Sequence, residues 1–202
     1  MSISHLFFDI GGVLASNAWS TPQRAHAAER FGLDAAEFEQ QHRDAIGTFE
    51  QGRMSLDEYL DATVFYRERD FSRQEFVAFM QGESRPDPTT IALARRLAAG
   101  GRYRMMTLNN ESLELNLYRI ERFGLRDIFD AFFSSCWLGY TKPSHRIYEL
   151  ALGMSQARSD RAVFIDDREP NLVPARALGM RTIHFTTGER LAGELAALGV
   201  AA

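Results

Sequence analysis

Residues 5–14 read HLFFDIGGVL, and this stretch decides the fold of the 202-residue chain. A short apolar run leads into Asp9, and Gly11 and Gly12 follow closely. Such a run predicts a buried β-strand that ends in a carboxylate. Glycines let the backbone turn sharply and let a ligand approach it. The stretch therefore predicts a strand that presents Asp9 at a sheet edge, although a carboxylate that merely caps a turn is an equal alternative at this point.

Four further apolar runs are predicted as strands, and patterns typical of helices separate them. The runs cover residues 103–108, 131–136, 162–166 and 181–185. Alternation of strands and helices favours βαβ units and a parallel sheet. The runs lack a polar face, as is typical of strands that are buried on both sides. We therefore expect an α/β fold with a doubly wound, Rossmann-like parallel sheet.

The segment 16–85 differs from the rest because it contains no convincing strand. Capping-box patterns at 34–37, 55–58 and 72–75 each open a run with helical spacing. The proline-marked stretch 85–88 then leads back towards the predicted sheet. We expect an all-helical cap domain over residues 16–85, inserted into an α/β core domain formed by residues 1–15 and 86–202.

Composition and charge exclude several classes of partner. Apolar residues make up 45% of the chain, and the net charge is −4 with a pI of about 5.8, so no basic field favours a nucleic-acid partner. No apolar stretch approaches the roughly 18 residues that a membrane span needs. The single cysteine, Cys136, and the absence of a signal-peptide pattern favour a cytoplasmic protein. No pattern indicates an oligomeric state.

Polar residues follow the predicted strands at the edge where a doubly wound sheet binds ligands. Asp166 and Asp167 end one strand, and adjacent carboxylates there favour a cation such as Mg²⁺. Lys142 precedes Pro143 and could neutralise a phosphate or the carboxylates. The run 106–110 ends in asparagines that could donate hydrogen bonds to phosphate oxygens. Each feature alone is also compatible with a solvated turn, a surface charge or an asparagine turn.

Taken together, these motifs resemble the haloacid dehalogenase-like (HAD) superfamily of hydrolases. The resemblance spans nearly the whole chain. It includes FFDIGGVL at 7–14, GYTKP at 139–143, the Asp pair at 166–167 with Asn171 after it, and Gly179-Met180 before the last strand. The inserted helical segment resembles the cap that members of this superfamily carry after the first strand.

The resemblance implies a mechanism and a cofactor. In similar proteins the first Asp, here Asp9, attacks phosphorus and forms an aspartyl-phosphate. Mg²⁺ would be held by Asp9, by the backbone carbonyl of Gly11 and by Asp166, while Asp167 would bind through water or orient the loop. Lys142 would steady the nucleophile and the transferring group. The expected function is that of a Mg²⁺-dependent phosphatase of small phosphorylated metabolites, with sugar phosphates among the candidates.

The chain departs from the superfamily pattern at two positions. Gly11 stands where most phosphatases of the superfamily carry a second Asp, which protonates the leaving group. Alkyl phosphates should therefore react slowly, and anomeric, aryl and acyl phosphates should suffer less. Leu108 stands where Ser or Thr normally binds phosphate, so the backbone N–H and side chain of Asn109 are the expected phosphate donors. Thr107, one position earlier, is expected to face the other way.

Other functions remain open on the sequence. Dehalogenases of the superfamily also lack the second Asp and need no metal, but the Asp166-Asp167 pair favours a cation. Phosphonate hydrolases need a cap lysine, and the segment 16–85 contains none. A non-catalytic protein that binds phosphate and serves regulation is the third alternative.

Overall fold

The computed structural model describes residues 2–17 and 19–201. The strands are β1 (His5–Phe8), β2 (Arg104–Asn109), β3 (Ala131–Ser134), β4 (Ala162–Asp166) and β5 (Arg181–His184). The helices are α1 (Thr21–Arg30), α2 (Ala35–Glu50), α3 (Leu56–Thr63), α4 (Arg73–Gly82), α5 (Pro88–Ala99), α6 (Leu113–Arg122), α7 (Ser135–Leu138), α8 (His145–Ser155), α9 (Glu169–Ala177) and α10 (Gly188–Ala197).

The strands form one parallel sheet in the order β3-β2-β1-β4-β5. The first strand is central, and the chain then adds β2 and β3 on one side and β4 and β5 on the other. The point where the strand order reverses is where doubly wound sheets bind ligands, beyond the carboxyl ends of the strands. The predicted doubly wound parallel sheet is confirmed, and Asp9 follows the strand at this reversal point.

Both faces of the sheet are buried, because successive residues of a strand point to opposite sides. Leu6 and Phe8 of β1 pack with apolar residues of α5, α6 and α10. Phe7 packs on the other face with apolar residues of α8 and α9. Helices thus cover the sheet on both sides, which explains why the strands read as continuous apolar runs.

Residues 16–85, the helical insertion, contain four helices and no strand among their described residues. An aromatic-rich core of their own holds these helices together, with Trp19, Phe38, Tyr59 and Phe76 among its buried members. The capping boxes at 55–58 and 72–75 form as predicted. Asp34 accepts hydrogen bonds from two backbone N–H groups of α2 but receives no reciprocal bond.

The helical insertion leaves and rejoins the sheet region through paired backbone. The N–H of Ser16 donates to the carbonyl of Arg85 at 2.8 Å, and the N–H of Asp87 donates to the carbonyl of Leu14 at 2.8 Å. Asp87 also caps α5 through its side chain, with Pro88 at the first turn as the sequence indicates. The division into two domains at these positions stays a prediction, which the pairing supports.

The third strand is shorter than its predicted apolar run. The predicted strand 131–136 ends at Ser134, because Ser135 begins the short helix α7 and its hydroxyl bonds to loop backbone.

No helix within residues 2–17 and 19–201 combines the length and apolar character that crossing a lipid bilayer requires.

Candidate catalytic and metal-binding site

Three carboxylates converge at the carboxyl ends of β1 and β4. These strands are neighbours in register, with Phe8 opposite Ile165, so the residues that follow them meet. Asp9, Asp166 and Asp167 each offer an oxygen atom, and these atoms lie within 4.8 Å of one another. Asp9 is only 6% exposed and Asp166 is fully buried. Such a cluster needs positive charge nearby, because like charges in a buried site repel.

Lys142 supplies one positive charge. Its Nζ lies 2.8 Å from Oδ2 of Asp9 and 2.7 Å from Oδ2 of Asp166. Burial alone favours the neutral amine, but Asp9 and Asp166 outweigh it and raise the pKa of Lys142. Lys142 is the only lysine of the chain and is therefore a cation that is fixed between two acidic groups.

The positive charge of Lys142 does not fully offset the effect of burial and of the neighbouring carboxylates on the pKa of Asp9. Burial raises the pKa of Asp9 to about 8, Lys142 opposes this change, and Asp166 and Asp167 add to it. The N–H of Ile10 donates to Oδ1 of Asp9 at 2.7 Å and fixes the direction of the carboxylate. A further cation at this position would favour the ionised form of Asp9 that a nucleophile requires.

Asp166 is held by the start of α9. The N–H of Arg168 donates to its Oδ1 at 2.8 Å, and Nδ2 of Asn171 lies 3.0 Å and 3.1 Å from its two oxygens. Asn171 thus belongs to the site, as its place after the Asp pair indicated. These donors fix the orientation of the Asp166 carboxylate.

Asp167 provides the test of whether a metal fits. Its Oδ1 is buried, and no described residue donates a hydrogen bond to it. Its Oδ2 accepts from Nδ2 of Asn17 at 3.1 Å. A buried carboxylate oxygen without a partner, beside two other carboxylates, suits a hard divalent cation with oxygen ligands. Asp9, Asp166 and Asp167 are therefore the residues that would hold such an ion, while the proposed Gly11 carbonyl ligand stays a prediction.

A cavity of about 510 Å³ opens above these carboxylates. Half of the residues that line it belong to the helical insertion, including Trp19, Phe49 and Glu50, and the others come from the edge of the sheet. A partly enclosed space of this size, with charged groups at its base, is typical of a site for a small molecule.

A buried hydrogen-bond chain supports the wall that the helical insertion contributes. Nε1 of Trp19 can only donate, and it donates to the hydroxyl of Tyr59 at 2.9 Å. The hydroxyl of Tyr59 is in turn hydrogen-bonded to Nδ1 of His42 at 2.8 Å. Burial lowers the pKa of His42 to about 4, with the charge of Arg24 acting in the same direction.

The space beside Gly11 is occupied. A β-carbon built at Gly11 would lie 2.9 Å from Oδ1 of Asn17 and 3.5 Å from a guanidinium nitrogen of Arg119. Arg119 is 3% exposed, and its Nη1 lies 3.2 Å from Oε2 of Glu111. An amide and a paired guanidinium therefore stand next to the position where the superfamily usually places its second Asp.

The residues predicted to bind phosphate do not all line the cavity. Leu108 is fully buried in the core on one face of the sheet. Asn109 donates through Nδ2 to Asn116 at 3.1 Å and accepts from the hydroxyl of Ser134 at 2.8 Å, so its side chain belongs to a buried network. Asn110 lines the cavity instead and bonds to the backbone of Lys142. A phosphate contact through the backbone of Asn109 stays a prediction.

Sequence reasoning missed several residues that line this cavity. Asn17, Glu50, Glu111 and Arg119 reach it from the helical insertion, the loop after β2 and α6. None belongs to a short motif, and each is brought to the cavity by tertiary packing. Asn110, in contrast, belongs to the run 106–110 whose asparagines the sequence indicated as phosphate donors, and it lines the cavity.

Fold and site define an α/β protein with an acidic, cation-compatible centre, and comparison with known proteins gives its family. The family profile described as haloacid dehalogenase-like hydrolase matches residues 3–179. The chain belongs to the haloacid dehalogenase-like hydrolase family, as the motifs predicted.

The individual curated relatives match only part of this chain. The sesquiterpene phosphatase astK of Aspergillus oryzae is 30% identical over 102 residues, which cover 50% of this chain and 52% of that protein. The chain thus spans about half the length of this relative, and the matches to some other curated relatives cover less of them.

Two solved structures show the likeness in fold. The HAD family enzyme bt-2542 of Bacteroides thetaiotaomicron, in complex with magnesium and inorganic phosphate, superposes with a TM-score of 0.78 at 20% identity, over 93% of this chain and 96% of that chain. The L-2-haloacid dehalogenase PA0810 superposes with a TM-score of 0.63 at 21% identity, over 90% of this chain and 83% of that chain. At these identities the comparisons show the shared fold alone.

Proposed function

We propose that the protein is a Mg²⁺-dependent phosphatase of small phosphorylated metabolites that acts through an aspartyl-phosphate on Asp9. The unpartnered Oδ1 of Asp167 beside Asp9 and Asp166 carries this proposal, because it leaves a place for a cation next to the nucleophile. Relatives support it, since they include a sesquiterpene phosphatase and a HAD family enzyme solved in complex with magnesium and inorganic phosphate. The cavity volume favours small substrates.

Each group at the base of the cavity has a defined part in this reaction. Asp9 attacks phosphorus in line with the leaving oxygen, and water later displaces phosphate from the same carboxylate. Asp9, Asp166 and Asp167 would hold Mg²⁺, and the bound ion would neutralise charge on the phosphoryl oxygens. Lys142, fixed between Asp9 and Asp166, keeps Asp9 oriented and contributes a second positive charge.

The phosphoryl group would also contact the loop after β2. We place the backbone N–H groups around Asn109 against its oxygens, with the Asn110 side chain at the same end of the cavity. Leu108 contributes only its position on the strand, since its side chain is buried in the core. The helical insertion acts as a cap that closes the space above Asp9 and selects the substrate.

The leaving group would determine the rate. No carboxylate stands at Gly11, and general acid–base assistance is worth roughly 10²–10⁴-fold in typical enzymes. Substrates with good leaving groups, such as anomeric sugar, aryl and acyl phosphates, depend least on a proton donor, whereas simple alkyl phosphates need one from another part of the cavity.

Phosphate release from a panel of such substrates, in Mg²⁺ and in EDTA, tests the proposal. We expect release that requires Mg²⁺ and is abolished in Asp9→Asn, while the exposed variant Asp70→Asn behaves as the wild type. An inert wild type that still binds Mg²⁺ or phosphate would assign the chain to the non-catalytic alternative. Turnover of a 2-haloacid in EDTA would assign it to the dehalogenases, whose chemistry needs no metal.

A further inference from the structure

Glu50 is a carboxylate of the catalytic cavity that no motif and no step described above uses. It is the last residue of α2, it is half-buried, and it lines the same cavity as Asp9. Among the described residues, none donates a hydrogen bond or forms an ion pair with its carboxylate. Its backbone is fixed to the core, since the hydroxyl of Ser135 donates to its carbonyl at 2.6 Å. The side chain thus extends from a fixed anchor towards the cavity.

The other carboxylate in this part of the cavity is already engaged. Oε2 of Glu111 lies 3.2 Å from Nη1 of Arg119, and Oε1 accepts from the N–H of Ser112 at 3.0 Å. The same Arg119 nitrogen lies 3.5 Å from a β-carbon built at Gly11. Glu111 is thus paired with Arg119 beside Gly11, whereas the Glu50 carboxylate in the same cavity has no such partner among the described residues.

The surroundings of Glu50 suit proton transfer near neutral pH. Burial raises its pKa to about 7, and the negative charge of Glu111 acts in the same direction. The cations Lys142, Arg168 and Arg24 oppose this change from three other elements. A general acid is most effective when its pKa lies close to the working pH.

We propose that Glu50 is the general acid and base of the reaction and replaces from the cap the carboxylate that Gly11 lacks. The proposal rests on the proposed phosphatase function. In the first displacement Asp9 forms a bond to phosphorus, the bond from phosphorus to the leaving oxygen breaks, and protonated Glu50 gives that oxygen its proton. In the second, Glu50 takes a proton from water as the water oxygen bonds to phosphorus, and the bond to Asp9 breaks. Phosphate leaves and Glu50 is protonated again.

The Glu50→Gln variant tests this role with two classes of substrate. We expect kcat/KM for alkyl phosphates to fall by roughly 10²–10³-fold, and for aryl phosphates by less than about threefold, because a good leaving group needs little protonation. Glu29→Gln, an exposed variant on α1, serves as the matched control. Glu50→Ala, assayed with added formate, should recover part of the alkyl activity. An equal loss on both classes, or no loss, would overturn the proposal.

The pH profile of alkyl phosphate hydrolysis gives a second measurement. If Glu50 had only a structural role, its replacement by Gln would leave the shape of this profile unchanged. The wild type should lose alkyl phosphatase activity as the pH rises above 7, because Glu50 loses its proton, and Glu50→Gln should lack this limb. If Glu50→Gln still lost activity as the pH rose above 7, the proposed role of Glu50 would be refuted, while the phosphatase function would stand. A wild type that releases phosphate from neither substrate class would instead refute the phosphatase function, and the role of Glu50 with it.

Discussion

The carboxylate of Asp167 occupies the space where a β-carbon of residue 12 would stand, so only glycine fits at position 12. Gly12 also has a φ of 78°, in the left-handed region that favours glycine. The close approach leaves Oδ1 of Asp167 directed into the acidic cluster without a hydrogen-bond partner among the described residues. The second glycine of the IGGVL segment thus packs against Asp167, a proposed metal ligand that lies far along the chain.

Gly12→Ala should therefore weaken metal binding more than it weakens the fold. Displacing a group that orients a metal ligand typically lowers metal affinity by about 10–100-fold. We expect the Mg²⁺ concentration for half-maximal phosphate release to rise by that factor. Gly101→Ala is the matched control, because Gly101 has a φ of 62° but no atom within 4 Å of its β-carbon position. Equal effects of the two variants on the Mg²⁺ requirement would contradict this account.

Lys142→Met should destabilise the protein mainly when metal is absent. The variant leaves Asp9 and Asp166 buried without their cation, and breaking a buried ion pair typically costs about 3–5 kcal/mol. We expect urea unfolding in EDTA to show a loss of about this size, and added Mg²⁺ to reduce the difference from the wild type. Arg146→Met removes only an exposed partner of Glu149 and should cost less than about 1 kcal/mol. A similar small loss in Lys142→Met would show that the carboxylates do not need the lysine.

Much of the fold was predictable because local patterns encode it. The strands are apolar because both faces of the sheet are buried, and the capping boxes at 55–58 and 72–75 use only neighbouring residues. The end of β3 was predicted two residues late, because contacts of Ser135 with distant backbone determine it.

The base of the site was also predictable, whereas the cavity wall was not. Asp9, Asp166 and Lys142 meet because they follow strands or loops at one sheet edge, and the topology brings such residues together. Which side chains of the helical insertion reach the cavity depends on how its helices pack. Trp19 lines the cavity, but Tyr59 is fully buried behind it, and both have the same aromatic character in the sequence.

The pH dependence of stability should reveal the buried histidine. The folded-state pKa of His42 is lowered from 6.5 to about 4, so the unfolded chain binds its proton first on acidification. The contribution of His42 is complete well above pH 6.5 and is lost as the pH falls towards 4, by about 2 kcal/mol at pH 5 and about 3 kcal/mol at pH 4. His42→Gln keeps an acceptor for the Tyr59 hydroxyl and removes this titration. Urea unfolding at pH 7.5 and 5 should show a smaller decrease for His42→Gln than for the wild type, and His145→Gln, on the exposed start of α8, should decrease like the wild type.

Restoring the missing carboxylate at position 11 should require a second change. A side chain at Gly11 meets Oδ1 of Asn17 at 2.9 Å, so Gly11→Asp alone displaces Asn17 and disturbs its bond to Asp167. We expect this single variant to be no faster than the wild type on alkyl phosphates and to need more Mg²⁺. Gly11→Asp combined with Asn17→Ala removes the obstacle. In a Glu50→Gln background, which lacks the proposed acid, this combination should be at least about tenfold faster on alkyl phosphates than Asn17→Ala in the same background, since a positioned acid is worth 10²-fold or more.

The comparison that decides this prediction uses the Asn17→Ala single variant as the control for the lost amide. On aryl phosphates the double variant should match that control, because protonation contributes little there. If Gly11→Asp alone accelerates alkyl phosphate hydrolysis, Asn17 and Arg119 do not block the position and the space beside Gly11 is available to a side chain. With Glu50 intact the double variant should gain little over its control, because Glu50 already supplies the proton that the leaving group needs; a gain of about tenfold or more in the presence of Glu50 would contradict its proposed role.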